Sequence, residues 1–159
     1  MTTKLDIGST LPEFTLKTDG GGEISSSSLA GAPAVIYFYP KDDTPGCTKQ
    51  AIAFSALQPR FEALNTKIVG ISADTPQKHD KFIAKHHLTI TLASDEDHRV
   101  LEAFGVWGEK SMYGRKFMGI ERSTFLIDKS RTISAVWRKV KVPGHAEAVL
   151  AALKDLSAQ

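Results

Sequence analysis

Apolar residues fall along this chain in two rhythms. Residues 34–39, Ala-Val-Ile-Tyr-Phe-Tyr, are apolar without interruption, which predicts a strand buried on both faces rather than on one. Pro40 ends it, since proline lacks the N–H that a ladder would use. A second such run lies at 67–72 and a shorter one at 90–92. Residues 123–127 and 132–137 are joined by Asp128-Lys129-Ser130-Arg131 and read as an antiparallel hairpin. A further β-hairpin is expected near the N-terminus, where 14–17 and 23–25 flank Asp19-Gly20-Gly21-Gly22. The serines at 25–28 read as a turn or a helix start.

The second rhythm is helical. Phe54, Leu57, Phe61 and Leu64 share one stripe, and Cys47 continues it towards the N-terminus. Pro59 is expected to kink or end that helix. Thr75-Pro76 supplies a cap and a first-turn proline for a helix reaching about His87. Asp95-Glu96-Asp97 opens another, through Phe104. Gly144 opens the last, which carries Ala146, Val149, Leu150, Leu153 and Leu156 on one face. Strands alternating with helices, followed by a late hairpin, imply an α/β sandwich around a mixed sheet.

Composition narrows the function classes. At 159 residues the chain fits one domain, 1–159, with a core that needs neither disulfides nor a structural metal. Lys and Arg number 20 against 18 Asp and Glu, a net charge of +2; that argues against nucleic acid or an anionic membrane as partner. No apolar run approaches a membrane span, and the first six residues lack a signal-like stretch, so the expected location is the cytoplasm. The single cysteine excludes an intramolecular disulfide and a CxxC redox pair. Any chemistry at Cys47 must therefore be completed by an external partner.

Cys47 sits in an informative context. The buried strand ends at Pro40, and Thr44 and Pro45 read as N-cap and first helical residue. The thiol then falls in the first helical turn, where free N–H groups and the helix dipole stabilise a thiolate. Asp42 and Asp43 oppose this if their carboxylates approach the sulfur. A buried, inert cysteine is the alternative reading. A free thiol is about 3% thiolate at neutral pH, so full ionisation gains roughly 30-fold. Lowering the pKa by about 2.5 units costs roughly tenfold in nucleophilicity. The net gain is small, so a fast thiol enzyme must also activate its electrophile with donors aimed at the developing charge. Thr44 and the N–H groups near Cys47 are local donors.

The string Phe38-Tyr39-Pro40-Lys41-Asp42-Asp43-Thr44-Pro45-Gly46-Cys47-Thr48 contains PxxxTxxC and resembles the peroxiredoxins, specifically the bacterioferritin-comigratory-protein (Prx-Q) branch. The similarity continues in residues 106–110, 119–128 and 142–145. It implies a thioredoxin-like fold and a cofactor-free, metal-free peroxidase for hydrogen peroxide and organic hydroperoxides, serving antioxidant defence. Under that resemblance Cys47 is the peroxidatic cysteine, Thr44 binds and orients the peroxide, Arg122 stabilises the thiolate and the polarised O–O bond, and Pro40 shields the sulfur from water. Many members of this branch carry a resolving cysteine at the position of Ile52, and others in the next helix; residues 76–88 contain none. The resemblance therefore narrows to a 1-Cys mechanism, with thioredoxin, glutaredoxin or glutathione as reductant and over-oxidation as a hazard. It also implies a monomer.

Other readings remain. A redox sensor would use Cys47 oxidation to alter a partner contact. A thiol transferase is disfavoured, because Thr48-Lys49-Gln50 supplies neither CxxC nor CxxS. The five histidines do not suggest a metal and read mostly as surface or capping residues; His145 matches a family position without an assignable chemical role. Residues 113–118 read as a solvated loop, and Trp107 and Trp137 as packing residues.

Overall fold

The computed structural model describes residues 5–158. Most of the N-terminal segment read for a signal, residues 1–4, lies outside them. Strand β3 (Ala34–Phe38) is buried at every position. It pairs in parallel with β4 (Lys67–Ser72), which pairs in parallel with β5 (Thr91–Ser94). On the other side, β8 (Ser123–Ile127) runs antiparallel to β3, and β9 (Ile133–Trp137) antiparallel to β8. The N-terminal hairpin of β1 (Thr15–Thr18) and β2 (Glu23–Ser25) joins through β5. The result is a mixed seven-stranded sheet in the order β2-β1-β5-β4-β3-β8-β9, a thioredoxin-like α/β sandwich.

The continuous apolar runs are explained by two cores. Ile36 and Phe38 of β3 face one with Ile71, Phe125, Leu101 and Phe104. Val35, Tyr37 and Tyr39 face the other, under helices α1 (Pro45–Glu62), α2 (Pro76–His86) and α4 (His145–Ser157). Side chains alternate across a strand, so both faces must be apolar when both are covered.

Three expectations are revised. Of the kink or end expected at Pro59, the end does not occur, since α1 continues to Glu62. The carbonyl that Pro59 leaves without its helical donor, that of Ser55, lies 3.4 Å from the Thr89 hydroxyl, which donates to it. Residues 113–118 are not a loop: β6 (Trp107–Met112) and β7 (Arg115–Ile120) form a separate two-stranded hairpin. Its turn, Tyr113-Gly114, has positive φ at both positions, the tight hairpin geometry. Helix α3 is also shorter than expected, Arg99–Ala103. The predicted helix starts hold elsewhere: Thr75 caps α2 by accepting from the Lys78 N–H, and Gly144 adopts the left-handed conformation before α4.

Candidate active site

Strand β3 delivers the chain to the sheet's end, where Pro40 is half-buried, and residues 41–44 lead into α1. Thr44 has extended backbone geometry at the N-cap and Pro45 is the first helical residue. The Thr44 hydroxyl does not cap, however: it donates to the Lys41 carbonyl at 2.8 Å. Cys47 lies in the first turn, only 2% exposed. Arg122 precedes β8, whose first residue Ser123 pairs with Phe38 at the end of β3. That register brings the guanidinium to the thiol. Nη2 lies 3.3 Å from Cys47 Sγ, and Nη1 donates to Gln50 Oε1 at 2.6 Å. Three of the four expected site residues thus gather around one helical turn, and Pro40 opens the loop that feeds it.

Several residues that matter here carried no readable signal. Gln50 is buried one turn after Cys47 and fixes the arginine. Gly46 leaves room for it: a Cβ there would meet Arg122 Nη2 at 3.2 Å. Neither acidic residue of the loop is left free to face the sulfur. Asp43 binds Lys85 at 2.7 Å and His86 at 2.8 Å, and these two hold its carboxyl below its usual range. Asp42 accepts from the Tyr39 hydroxyl at 2.5 Å and pairs with His79 Nδ1 at 2.7 Å. Its backbone N–H donates to Asp74, which is itself bound by the Ser72 hydroxyl.

His79 is the main departure from the surface reading of the histidines. It is fully buried, with Nε2 3.0 Å from the Ala93 carbonyl. That ring nitrogen must carry a hydrogen, because a carbonyl only accepts. His145 is also buried; its Nε2 lies 2.7 Å from the Thr124 hydroxyl, and its ring meets Phe54 and Trp137 edge-on. Burial, aided by the Arg122 charge, lowers its pKa to about 4. Tyr37 stacks on Phe54 at 4.8 Å between ring centroids, and burial, followed by the charges of Cys47 and Asp42, raises its phenol well above its usual range. Trp137 and Trp107 pack as expected, the latter also stacked on His98.

Residues 7–136 match the AhpC/TSA family. The chain belongs to that family. Within it, peroxiredoxin Bcp of Bacillus subtilis is 46% identical over 96% of this chain and 98% of its own length. Peroxiredoxin Bcp of Xanthomonas campestris is 49% identical over 89% of each. Among solved structures, a Xylella fastidiosa PrxQ mutant superposes with a TM-score of 0.93 at 42% identity, covering 98% of this chain and 99% of that one. The Xanthomonas bacterioferritin comigratory protein gives 0.86 at 47% identity over 91% and 92%. The Bcp/PrxQ resemblance read from PxxxTxxC is therefore shown across nearly the whole chain, and the lone cysteine is consistent with a 1-Cys variant of this peroxiredoxin type. Among the described residues no helix is long and apolar enough to cross a membrane.

Proposed function

We propose that this peroxiredoxin is a thiol-dependent peroxidase whose Cys47 is oxidised by hydrogen peroxide or an organic hydroperoxide and is regenerated by an external thiol. The observation that carries the reading is the 3.3 Å contact of Arg122 Nη2 with Cys47 Sγ in the first turn of α1. Supporting it, the Xanthomonas bacterioferritin comigratory protein is described as having an alkyl peroxide reduction activity.

The Cys47 thiolate attacks the nearer peroxide oxygen. The S–O bond forms as the O–O bond breaks, and the departing oxygen leaves as hydroxide or alkoxide, taking a proton to become water or alcohol. Arg122 places a fixed positive charge where negative charge shifts along the S–O–O line. Because the Thr44 hydrogen is committed to Lys41, its oxygen offers lone pairs to the peroxide O–H. Thr44 therefore orients the substrate by accepting, while Arg122 donates. The Pro40 ring shields the sulfur from bulk water.

With no second cysteine in the sequence, the Cys47 sulfenic acid condenses with an external thiol, releasing water and forming a mixed disulfide. A second thiol then cleaves it to restore Cys47. Thioredoxin, glutaredoxin with glutathione, or a small thiol can fill this role. The proposal takes residues 1–159 as one monomeric domain working in the cytoplasm.

Peroxide consumption in the presence of a thiol donor tests the reading. Sustained turnover by the wild type, absent in Cys47→Ser, is the expected result. Oxidation of Cys47 once, with no thiol able to restore it, would favour the peroxide sensor instead.

A further inference from the structure

The peptide group between Lys41 and Asp42 is held from both ends. Its carbonyl oxygen accepts the Thr44 hydroxyl hydrogen at 2.8 Å, and its N–H donates to Asp74 Oδ2 at 2.8 Å. The Ser72 hydroxyl donates to that same carboxylate oxygen at 2.7 Å and accepts the Asp74 N–H at 3.2 Å. Asp74 is buried, in the short segment between β4 and α2. Parallel pairing of β3 with β4, with Phe38 beside Ile71, sets that segment against the loop that leaves β3. The residues that follow the peptide are anchored as well. Asp42 is bound by Tyr39 and His79, and Asp43, with a φ of 60°, by Lys85 and His86.

We propose that Asp74 is a positioning residue for peroxide reduction, acting through this peptide on the hydroxyl of Thr44. A threonine hydroxyl both donates and accepts, and its hydrogen rotates towards whichever acceptor is offered. With the Lys41 carbonyl in place that hydrogen is taken up, and the lone pairs remain for the peroxide O–H. Were the peptide turned over, its carbonyl would face the Asp74 carboxylate, acceptor against acceptor. Its N–H would then meet the Thr44 oxygen and occupy the lone pairs that the peroxide needs. Asp74 therefore sets the direction in which Thr44 hydrogen-bonds, and Ser72 holds the carboxylate that does so. This role rests on the peroxidase reading and deepens it, by naming what makes Thr44 an acceptor. Because Asp74 acts through Thr44, its loss shows only in reactions that use the Thr44 oxygen.

The test compares two electrophiles at fully reduced Cys47 by stopped-flow. Hydrogen peroxide brings an O–H for Thr44 to accept; methyl methanethiosulfonate, which also reacts with a thiolate, carries neither O–H nor N–H. The readout is the ratio of the two second-order rate constants, which cancels general damage to the thiol or its access. In Asp74→Ala the ratio is expected to fall about tenfold, the rate equivalent of one hydrogen bond. Added to Thr44→Val, the same change is expected to lower the ratio by less than about twofold, since no hydroxyl is left to direct. If Asp74→Ala does not fold, Ser72→Ala runs the same comparison, with an expected fall of about threefold. Equal slowing of both electrophiles, or no slowing of either, overturns the proposal. So does a fall that persists in full on the Thr44→Val background. Failure of the peroxidase reading is distinct and shows in the wild type alone. Hydrogen peroxide would then oxidise Cys47 no faster than a free thiolate, and the role of Asp74 would fall with it.

Discussion

Arg122 reaches Cys47 across 75 positions of sequence because Ser123 and Phe38 are paired neighbours in the sheet. The end of β3 and the start of β8 lie side by side, and the helix carrying the thiol begins just beyond that end. A slip of one residue in this register would turn every β8 side chain to the opposite face. The site is therefore specified by strand pairing as much as by the loop motif.

Gly46 offers a way to disturb this contact without removing either partner. A methyl at that position meets Arg122 Nη2 at 3.2 Å, so the guanidinium must shift by a few tenths of an ångström. Gly46→Ala is expected to slow Cys47 oxidation about tenfold, since small misplacements of reacting groups are costly. Its thermal stability should hold or rise, because alanine favours a helix over glycine by up to ~1 kcal/mol. Stopped-flow oxidation and thermal unfolding of the same sample check the two halves.

Thr44 makes a prediction about chemistry rather than packing. Its hydroxyl is held by Lys41, so Thr44→Ser keeps the acceptor and should retain most activity. Thr44→Val loses it and should slow peroxide reaction by ~100-fold, the scale seen when one well-placed polar group is removed from a reacting centre. The comparison is made on rate constants for hydrogen peroxide with both variants fully reduced.

His79 and Asp42 form a buried pair that ties the catalytic loop to α2. His79→Leu would strand the buried Asp42 carboxylate without its His79 hydrogen bond. We expect a loss of about 1–3 kcal/mol in unfolding free energy, measured by urea denaturation at neutral pH.

His145 predicts an acid sensitivity. Its folded pKa of about 4 lies below the ordinary value of 6.5, so between those values the unfolded chain binds a proton that the native state refuses. Stability is complete above pH 6.5 and falls as the pH drops towards 4. The loss is roughly 2 kcal/mol once solvent screening is allowed for. His145→Gln, which can still bond to Thr124, should flatten this part of the stability profile without a titrating ring.

Much of this was legible in the sequence because burial leaves a direct trace there. The apolar runs of β3 and β4 encode a sheet covered on both faces, and Thr75-Pro76 encodes a helix start. The β6–β7 hairpin left little trace, since its strands are largely exposed and need no alternating apolar pattern. Nor does a sequence reveal that Thr89 supplies a donor to the carbonyl facing Pro59. Around the site, Cys47 and Thr44 were readable from local context. Arg122 required a family resemblance, because nothing near it in the chain marks a sheet register. His79 was misread for the same reason: its partners, Asp42 and Ala93, come from different elements. Gln50 and Gly46 matter through contacts with that same distant arginine.

On the proposed function, Cys47 sits in a site built to activate a peroxide. Fully reduced protein mixed with one equivalent of hydrogen peroxide, followed by stopped-flow and intact mass, tests it most directly. The expected result is rapid addition of a single oxygen atom at Cys47, slowed by ~10²–10³-fold in Arg122→Ala. Oxidation of the wild type no faster than that of a free thiolate, and unaffected by the loss of Arg122, would contradict it.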